Sequence, residues 1–156
     1  MSENDLKMDV DPSVTELCDV TTQPVREFIY RYYMTLTGVP HDTWRLYTVG
    51  ARYTHVGGCG PEEARDQGPV FGQFQIHVNI MHQRFTECQF FIRSIYEQPM
   101  ANGCIHVLVT GDKSRSKQPA VSFVQSFVLE FIREINQYAI ANSILRVYTL
   151  SPPLPR

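Results

Sequence analysis

Residues 24–38 read PVREFIYRYYMTLTG, and the apolar side chains of this stretch recur at intervals of three and four residues. This spacing places them on one face of an α-helix. Pro24 suits the first turn of such a helix, and Gly38 suits its end. The stretch predicts an amphipathic first helix whose apolar face consists of Val25, Phe28, Ile29, Tyr32, Tyr33 and Leu36.

Downstream of this helix, the sequence divides into segments of helical and of extended character. A short second helix is expected, with Asp42 accepting hydrogen bonds from its free N–H groups and Trp44 and Tyr47 spaced three apart. Asn102-Gly103 is a strong hairpin signal between two strands. The other predicted segments are a strand at 52–56, a surface loop at 59–69, a third helix at 73–84 and strands at 89–97, 104–110, 121–134 and 138–148.

The order of these elements, ααβαββββ, predicts how they pack. None of the connections among the last four strands is long enough for the crossover that joins parallel strands. We therefore expect three helices packed on one face of a curved antiparallel sheet, which makes an α+β cone.

Composition and charge indicate the domain limits. The chain has 156 residues, of which 43% are apolar, and this is enough for the core of one domain. Residues 1–19 carry six acids and one lysine, so they contribute −5 to the net charge of −2 and leave +3 on the remainder. That excess is too small for a nucleic-acid footprint. We expect a disordered acidic arm at 1–20, a domain at 21–149 and a Pro-rich tail at 150–156.

Several classes of protein are disfavoured by features that the sequence lacks. No apolar run reaches the roughly 20 residues that cross a bilayer, and the acidic N-terminus is unlike a signal peptide. The four cysteines form no C-x-x-C pair, and no histidine stands at zinc-ligand spacing from them. We expect a soluble cytoplasmic protein with reduced thiols, no bound metal and no cofactor.

The histidines are the remaining candidates for catalysis. His55, beside Gly57-Gly58, is the one candidate for a general base, but a histidine that hydrogen-bonds backbone at a turn is the favoured interpretation. His77 and His82 lie five apart on the third predicted helix, so they point in different directions and do not share a metal ion. We predict that the protein is not an enzyme. A carboxylate within reach of His55 in a deep cone would instead favour an isomerase or a dehydratase.

Five segments, taken in order, carry a resemblance to a known family. They are REFIYRYY at 26–33, YTHVGG at 53–58, VFGQ at 70–73 with IH at 76–77 and IM at 80–81, FTEC at 85–88 with IR at 92–93, and FVQSFVL at 123–129. Across residues 24–148 the sequence resembles the N-terminal domain of the Ras GTPase-activating-protein-binding, or Rasputin, family of ribonucleoprotein-granule scaffold proteins.

The resemblance implies a nuclear transport factor 2-like homodimer whose groove binds short Phe-Gly-containing segments of partner proteins. Other parts of such scaffolds bind RNA through an RNA-recognition domain and an Arg-Gly-rich tail, and this sequence contains neither. We expect either the first domain of a longer protein or a minimal relative that keeps only the dimerising and docking module. The expected location is the cytoplasm and its ribonucleoprotein or stress granules, without direct binding of this domain to nucleic acid or membrane.

The resemblance also implies where the groove lies, between the first helix, the second helix and the last hairpin. Its aromatic floor falls on Phe28, Leu46 and Tyr138. Its polar rim falls on Arg31, Trp44, Arg45 and Asn136. Members of the family carry Phe at all three floor positions and usually Gln where Arg31 stands, so one aromatic wall is absent here. The two arginines would favour an acidic residue in the ligand.

Two other interpretations of the same residues remain open. One is a carrier of the nuclear transport factor 2 type, which binds a small GTPase in its GDP form and Phe-rich repeats of the nuclear pore. It is disfavoured because the five segments match the granule scaffolds. The other is that Phe28 and Tyr138 are core residues with no ligand.

Overall fold

The structure is a computed structural model, and it describes residues 21–57 and 67–148. The predicted arm at 1–20 and the predicted tail at 150–156 lie outside the described residues, as do residues 59–66 of the predicted loop. Within the described ranges, no helix has both the length and the apolar character needed to span a membrane. Cys88 and Cys104 carry free thiols.

The chain folds into helices packed against one mixed β-sheet. Its elements are helix α1 (Gln23–Gly38), the 3₁₀-helix η1 (Pro40–Leu46), strands β1 (Tyr47–Val56) and β2 (Gln67–Phe71), helix α2 (Gly72–His82), the short 3₁₀-helix η2 (Phe85–Glu87), and strands β3 (Cys88–Pro99), β4 (Ile105–Arg115), β5 (Val121–Ile132) and β6 (Gln137–Tyr148). The predicted helices and strands are therefore all present. The second helix is a 3₁₀-helix, and its N-cap is Val39 rather than Asp42.

One strand, β2, lies partly where the sequence predicts a loop. Gly68 and Pro69 favour the loop prediction, because both residue types are depleted in strands. Proline is nevertheless tolerated on an edge strand, where its missing donor faces away from the ladder. β2 is such an edge strand, since the strand order is β2-β1-β6-β5-β4-β3.

The expectation of a wholly antiparallel sheet is wrong at one pair of strands. β1 pairs with β6 in parallel, whereas all other neighbouring strands are antiparallel. A parallel pair needs a long crossover, and residues 57–136 supply it. The short connections among the last four strands, on which the antiparallel expectation rests, do not include the one that joins β1 to β6.

The predicted apolar face of α1 packs on the inner face of the sheet. All six of its predicted side chains are buried. The Tyr32 ring meets the Phe127 ring of β5 edge to face, with 5.1 Å between centroids. The Tyr33 ring lies 5.0 Å from that of Phe90 on β3. Pro24 stands in the first turn, as predicted.

A small polar network lies inside this apolar core. The Tyr33 hydroxyl donates to Gln125 Oε1 at 2.7 Å, and Gln125 Nε2 donates to Ser143 Oγ at 2.8 Å. The Tyr32 and Tyr47 hydroxyls share a hydrogen bond of 2.8 Å. These bonds satisfy groups that would otherwise destabilise the fold. A polar atom that is buried without a partner loses its hydrogen bonds to water and gains none in exchange.

The sheet bends at a bulge in β3, between Ile92 and Ser94. Gly111 of β4 pairs with Ile92, and a Cβ atom added to Gly111 would lie 2.0 Å from the Phe91 carbonyl oxygen. Only glycine therefore fits opposite the bulge.

Candidate peptide-binding groove

Two residues of the predicted floor, Phe28 on α1 and Tyr138 on β6, are in contact. Their rings meet edge to face, with 6.4 Å between centroids and 71° between planes. Phe28 is only 5% exposed, and Tyr138 is half-buried. The helix and the last hairpin therefore meet where the resemblance implies, and the Phe28 ring is already largely covered.

The structure adds an aromatic residue that the sequence did not indicate. Phe131 of β5 stands directly opposite Tyr138 of β6, and their rings meet edge to face at 5.3 Å. Phe131 is 46% exposed. The predicted strand at 121–134 extends beyond the true end of β5, which is at Ile132. The four-residue turn at 133–136 sets the register that places Phe131 here, so locating that turn would have revealed the contact.

The three predicted residues of the second helix lie on η1, which packs against both α1 and β6. Leu46 is partly buried against the core, and Trp44 is half-buried. The Arg45 guanidinium stacks 5.4 Å from the centroid of the Trp44 ring, and it lies 3.8 Å from the Asp42 carboxylate. η1 therefore presents the Trp44 ring together with the Arg45 guanidinium, and the charge of Arg45 already has a counter-charge in Asp42.

Arg31 differs from Arg45 in this respect. Its guanidinium carbon lies 6.0 Å from the centroid of the Phe28 ring, and its side chain is exposed. In the part of the chain that the structure describes, Arg31 forms no ion pair. Of the two predicted arginines, Arg31 is thus the one with charge available for an anion beside the aromatic contact.

Asn136, the last predicted rim residue, lies in the turn between β5 and β6. It adopts the left-handed conformation with φ of 53°, and its N–H donates to the Arg133 carbonyl at 3.2 Å. Asparagine tolerates this conformation better than most residues. It is exposed at the end of the hairpin that carries Phe131 and Tyr138. No contact that the structure records joins Asn136 to Phe28 or to Tyr138 among these described residues.

The candidate base His55 lies away from this groove, inside the core. It is 2% exposed, and its ring stacks on Phe85 with 6.3 Å between centroids and 14° between planes. The buried polar residues of the described ranges include no carboxylate. Nor do three His, Cys, Asp or Glu side chains of those ranges gather where they would hold a metal ion. An isomerase or a dehydratase would place an acid and a base together in the cone.

Comparison with known proteins gives the family. The family model of the nuclear transport factor 2 (NTF2) domain matches residues 25–147. The chain belongs to the NTF2 domain family. The predicted α+β class, with three helices on one sheet, is confirmed as the NTF2-like fold.

Individual relatives agree with this assignment. The chain is 27% identical over 119 residues to a G3BP-like protein of Schizosaccharomyces pombe, and the match covers 76% of this chain but only 26% of that protein. The predicted resemblance to the Ras GTPase-activating-protein-binding family is confirmed by this match. The yeast Ubp3-associated protein Bre5 is similar in fold, with a TM-score of 0.72, 20% identity, and coverage of 84% of this chain and 99% of that one. Ntf2 of Cryptosporidium parvum gives a TM-score of 0.68 at 24% identity, covering 81% and 93% of the two chains.

Proposed function

We propose that this NTF2 domain is a homodimerising, non-enzymatic module that binds short Phe-Gly-containing segments of partner proteins, as in the scaffolds of cytoplasmic ribonucleoprotein and stress granules. Two relationships to other proteins support a role in protein binding. One relative is G3BP-like, and Bre5, which has the same fold, forms a complex with the deubiquitinase Ubp3. In this proposal, any RNA binding belongs to other parts of a longer protein.

The observation that carries the proposal is the aromatic contact between Phe28 and Tyr138, together with the Arg31 guanidinium over the Phe28 ring. An aromatic side chain of a ligand gains from edge contacts with such rings, and a neighbouring carboxylate gains from an unpaired guanidinium. Both contacts come from regular elements, α1 and β6, which hold the side chains in place before a ligand arrives. Phe28, Arg31 and Tyr138 form the centre of the proposed groove, with Trp44, Arg45, Leu46 and Asn136 around it.

The direct test uses isothermal calorimetry with the full chain and the capped peptide Asp-Ser-Phe-Gly-Leu-Ser. We expect binding that is lost when the Phe of the peptide is replaced by Ser, because the ring supplies the anchor. Phe28→Ala is a poor test on its own, since Phe28 is part of the core and its truncation costs about 3–5 kcal/mol of stability. Tyr138→Ser is the better variant because Tyr138 is half-buried. An equal affinity for the Phe and Ser peptides would reject Phe-Gly recognition.

The proposed dimer surface is the outer face of the last three strands. Side chains on this face follow a regular register, in which Leu108 pairs with Ser126 and Ser126 with Ile144. Ile144 is 50% exposed. Apolar residues grouped on one face of a sheet typically mark a contact with another protein. The apolar side chains of this face are Leu108, Val124, Val128, Ile144 and Tyr148.

A further inference from the structure

The aromatic residues of the groove form a row in which exposure increases from the helix to the hairpin. Phe28 is 5% exposed, Tyr138 is half-buried and Phe131 is 46% exposed. Apolar contact contributes to binding roughly in proportion to the area that it removes from water. A ligand therefore gains little from the buried Phe28 ring alone, and the largest uncovered ring of the row is that of Phe131.

Neighbouring rings of the row are in contact. The centroid of the Tyr138 ring lies 6.4 Å from that of Phe28 and 5.3 Å from that of Phe131, and it meets both edge to face. In an extended peptide, alternate side chains point to one face and lie about 6.6–6.8 Å apart. An extended ligand can therefore place one side chain near Phe28 and Tyr138 and the side chain two residues later near Phe131. The residue between them faces away from the row.

We infer that the groove selects an extended segment with two apolar side chains at alternate positions, and that Phe131 determines specificity for the second one. This inference rests on the proposed function of the same site. The first apolar side chain is the aromatic one, at Phe28 and Tyr138. The ligand also carries a carboxylate on the side of the aromatic residue, because Arg31 stacks over Phe28 and has no counter-charge among the described residues.

Phe131 also supplies an aromatic ring to a site that has a leucine at position 46. In the family that the sequence resembles, the floor has a third aromatic ring at that position, whereas Leu46 here is partly buried against the core. The ring of Phe131 is in contact with Tyr138. The second apolar contact of the ligand then lies toward the β5–β6 hairpin rather than toward η1.

A double-mutant cycle tests this assignment. The peptide Asp-Ser-Phe-Gly-Leu-Ser and its variant with Ser in place of Leu are titrated against the full chain and against Phe131→Ala. For the unchanged chain we expect the Leu peptide to bind about tenfold more tightly, which is the size of one good apolar contact. For Phe131→Ala, we expect the two peptides to bind equally. Phe131→Leu keeps an apolar side chain beside Tyr138 and should retain most of the preference.

The controls separate this inference from the proposed function. Phe91→Ala removes a ring that is 55% exposed on the edge strand β3, which β4 separates from β5, and should leave the Leu preference unchanged. If the Leu preference is the same in the unchanged chain and in Phe131→Ala, the role of Phe131 is overturned, although Phe-Gly binding stands as long as the peptide with Ser in place of Phe fails to bind. If neither peptide binds the unchanged chain, both proposals fail.

Discussion

Glu97 of β3 accepts a hydrogen bond from the backbone N–H of Thr22, the N-cap residue of α1, at 2.7 Å. The Thr22 hydroxyl donates to the same carboxylate oxygen at 2.8 Å. α1 has no acidic residue in its first turn and no side-chain cap of its own. A carboxylate from β3, an edge strand of the sheet, therefore stabilises the positive end of the helix dipole.

Replacing this carboxylate should destabilise the domain without changing its fold. We expect Glu97→Gln to lower the free energy of unfolding by about 1 kcal/mol, because the amide keeps the shape but loses the charge. Glu97→Ala should lower it further. Denaturant unfolding measures both values, and an unchanged midpoint for Glu97→Ala would show that the contact contributes nothing.

The buried tyrosines should make the domain sensitive to alkaline pH. Burial raises the pKa of Tyr32 to about 12, against the opposing effect of hydrogen bonds from Tyr47 and Gln125. Burial likewise raises the pKa of Tyr33, Tyr47 and Tyr53 well above the usual value. In the unfolded chain a tyrosine loses its proton near pH 10, so the folded state holds more protons between about pH 10 and 12.

The sign of the effect follows from this difference. The stability that these tyrosines contribute is fully present below about pH 10 and is lost as the pH rises toward the folded pKa. Tyr32 alone should lower the free energy of unfolding by roughly 1 kcal/mol for each pH unit in that window. Urea unfolding at a series of pH values tests the slope. Tyr32→Phe should reduce it, and a flat profile up to pH 11.5 would contradict the prediction.

Gly111 should be intolerant of any side chain. A Cβ atom there would lie 2.0 Å from the Phe91 carbonyl oxygen and 2.8 Å from Cε1 of Phe123. We expect Gly111→Ala to cost about 2 kcal/mol or more, because the backbone of β3 must move. Gly38→Ala is a suitable control, since no atom lies within 4 Å of the added Cβ. Equal melting temperatures for the two variants would show that the bulge relaxes freely.

The proposed dimer predicts a particle of twice the 18.0 kDa chain mass in sedimentation. Ile144→Glu places a charge on the outer face of β6 and should produce the monomer, because a buried unpaired carboxylate is costly. Val49→Glu is the matched control, since Val49 is 80% exposed on β1 and lies outside that face. A monomeric unchanged chain at micromolar concentration would rule the dimer out.

The two arginines of the proposed groove should behave differently. Arg45 is next to the Asp42 carboxylate at 3.8 Å, whereas Arg31 has no such partner among the described residues. Arg31→Ala should therefore weaken binding of the Asp-containing peptide about three- to tenfold and reduce its salt dependence. Arg45→Ala should have a smaller effect. Titrations at two salt concentrations compare the variants, and an equal loss for both would refute this distinction.

Local patterns in the sequence are sufficient to predict the helices and strands whose apolar residues recur with a clear period. α1 could be predicted because six apolar side chains share one helical face, and packing on the sheet agrees with that pattern. β5 could be predicted because its buried residues alternate. β2 could not be predicted, since Gly68 and Pro69 are typical of loops and only an edge position permits them.

The parts that could not be predicted depend on contacts between distant residues. The parallel pairing of β1 with β6 has no local signature, because the residues of a strand do not show whether its neighbour runs parallel or antiparallel to it. The contact of Phe131 with Tyr138 depends on the register of the last hairpin. The contact of Phe28 with Tyr138 entered only through the resemblance, whereas the burial of Phe28 follows from its place on the apolar face of α1.

The parallel pair also has a consequence for synthesis on the ribosome. β1 can complete its hydrogen bonding only when β6 has emerged, after residues 57–136 have been added. At about 5–20 residues per second, this delay is on the order of 4–16 s. During that time the inner edge of β1 and the aromatic face of α1 lack their final cover, and both are prone to bind other chains. A C-terminal truncation that removes β6 would make that exposed state permanent.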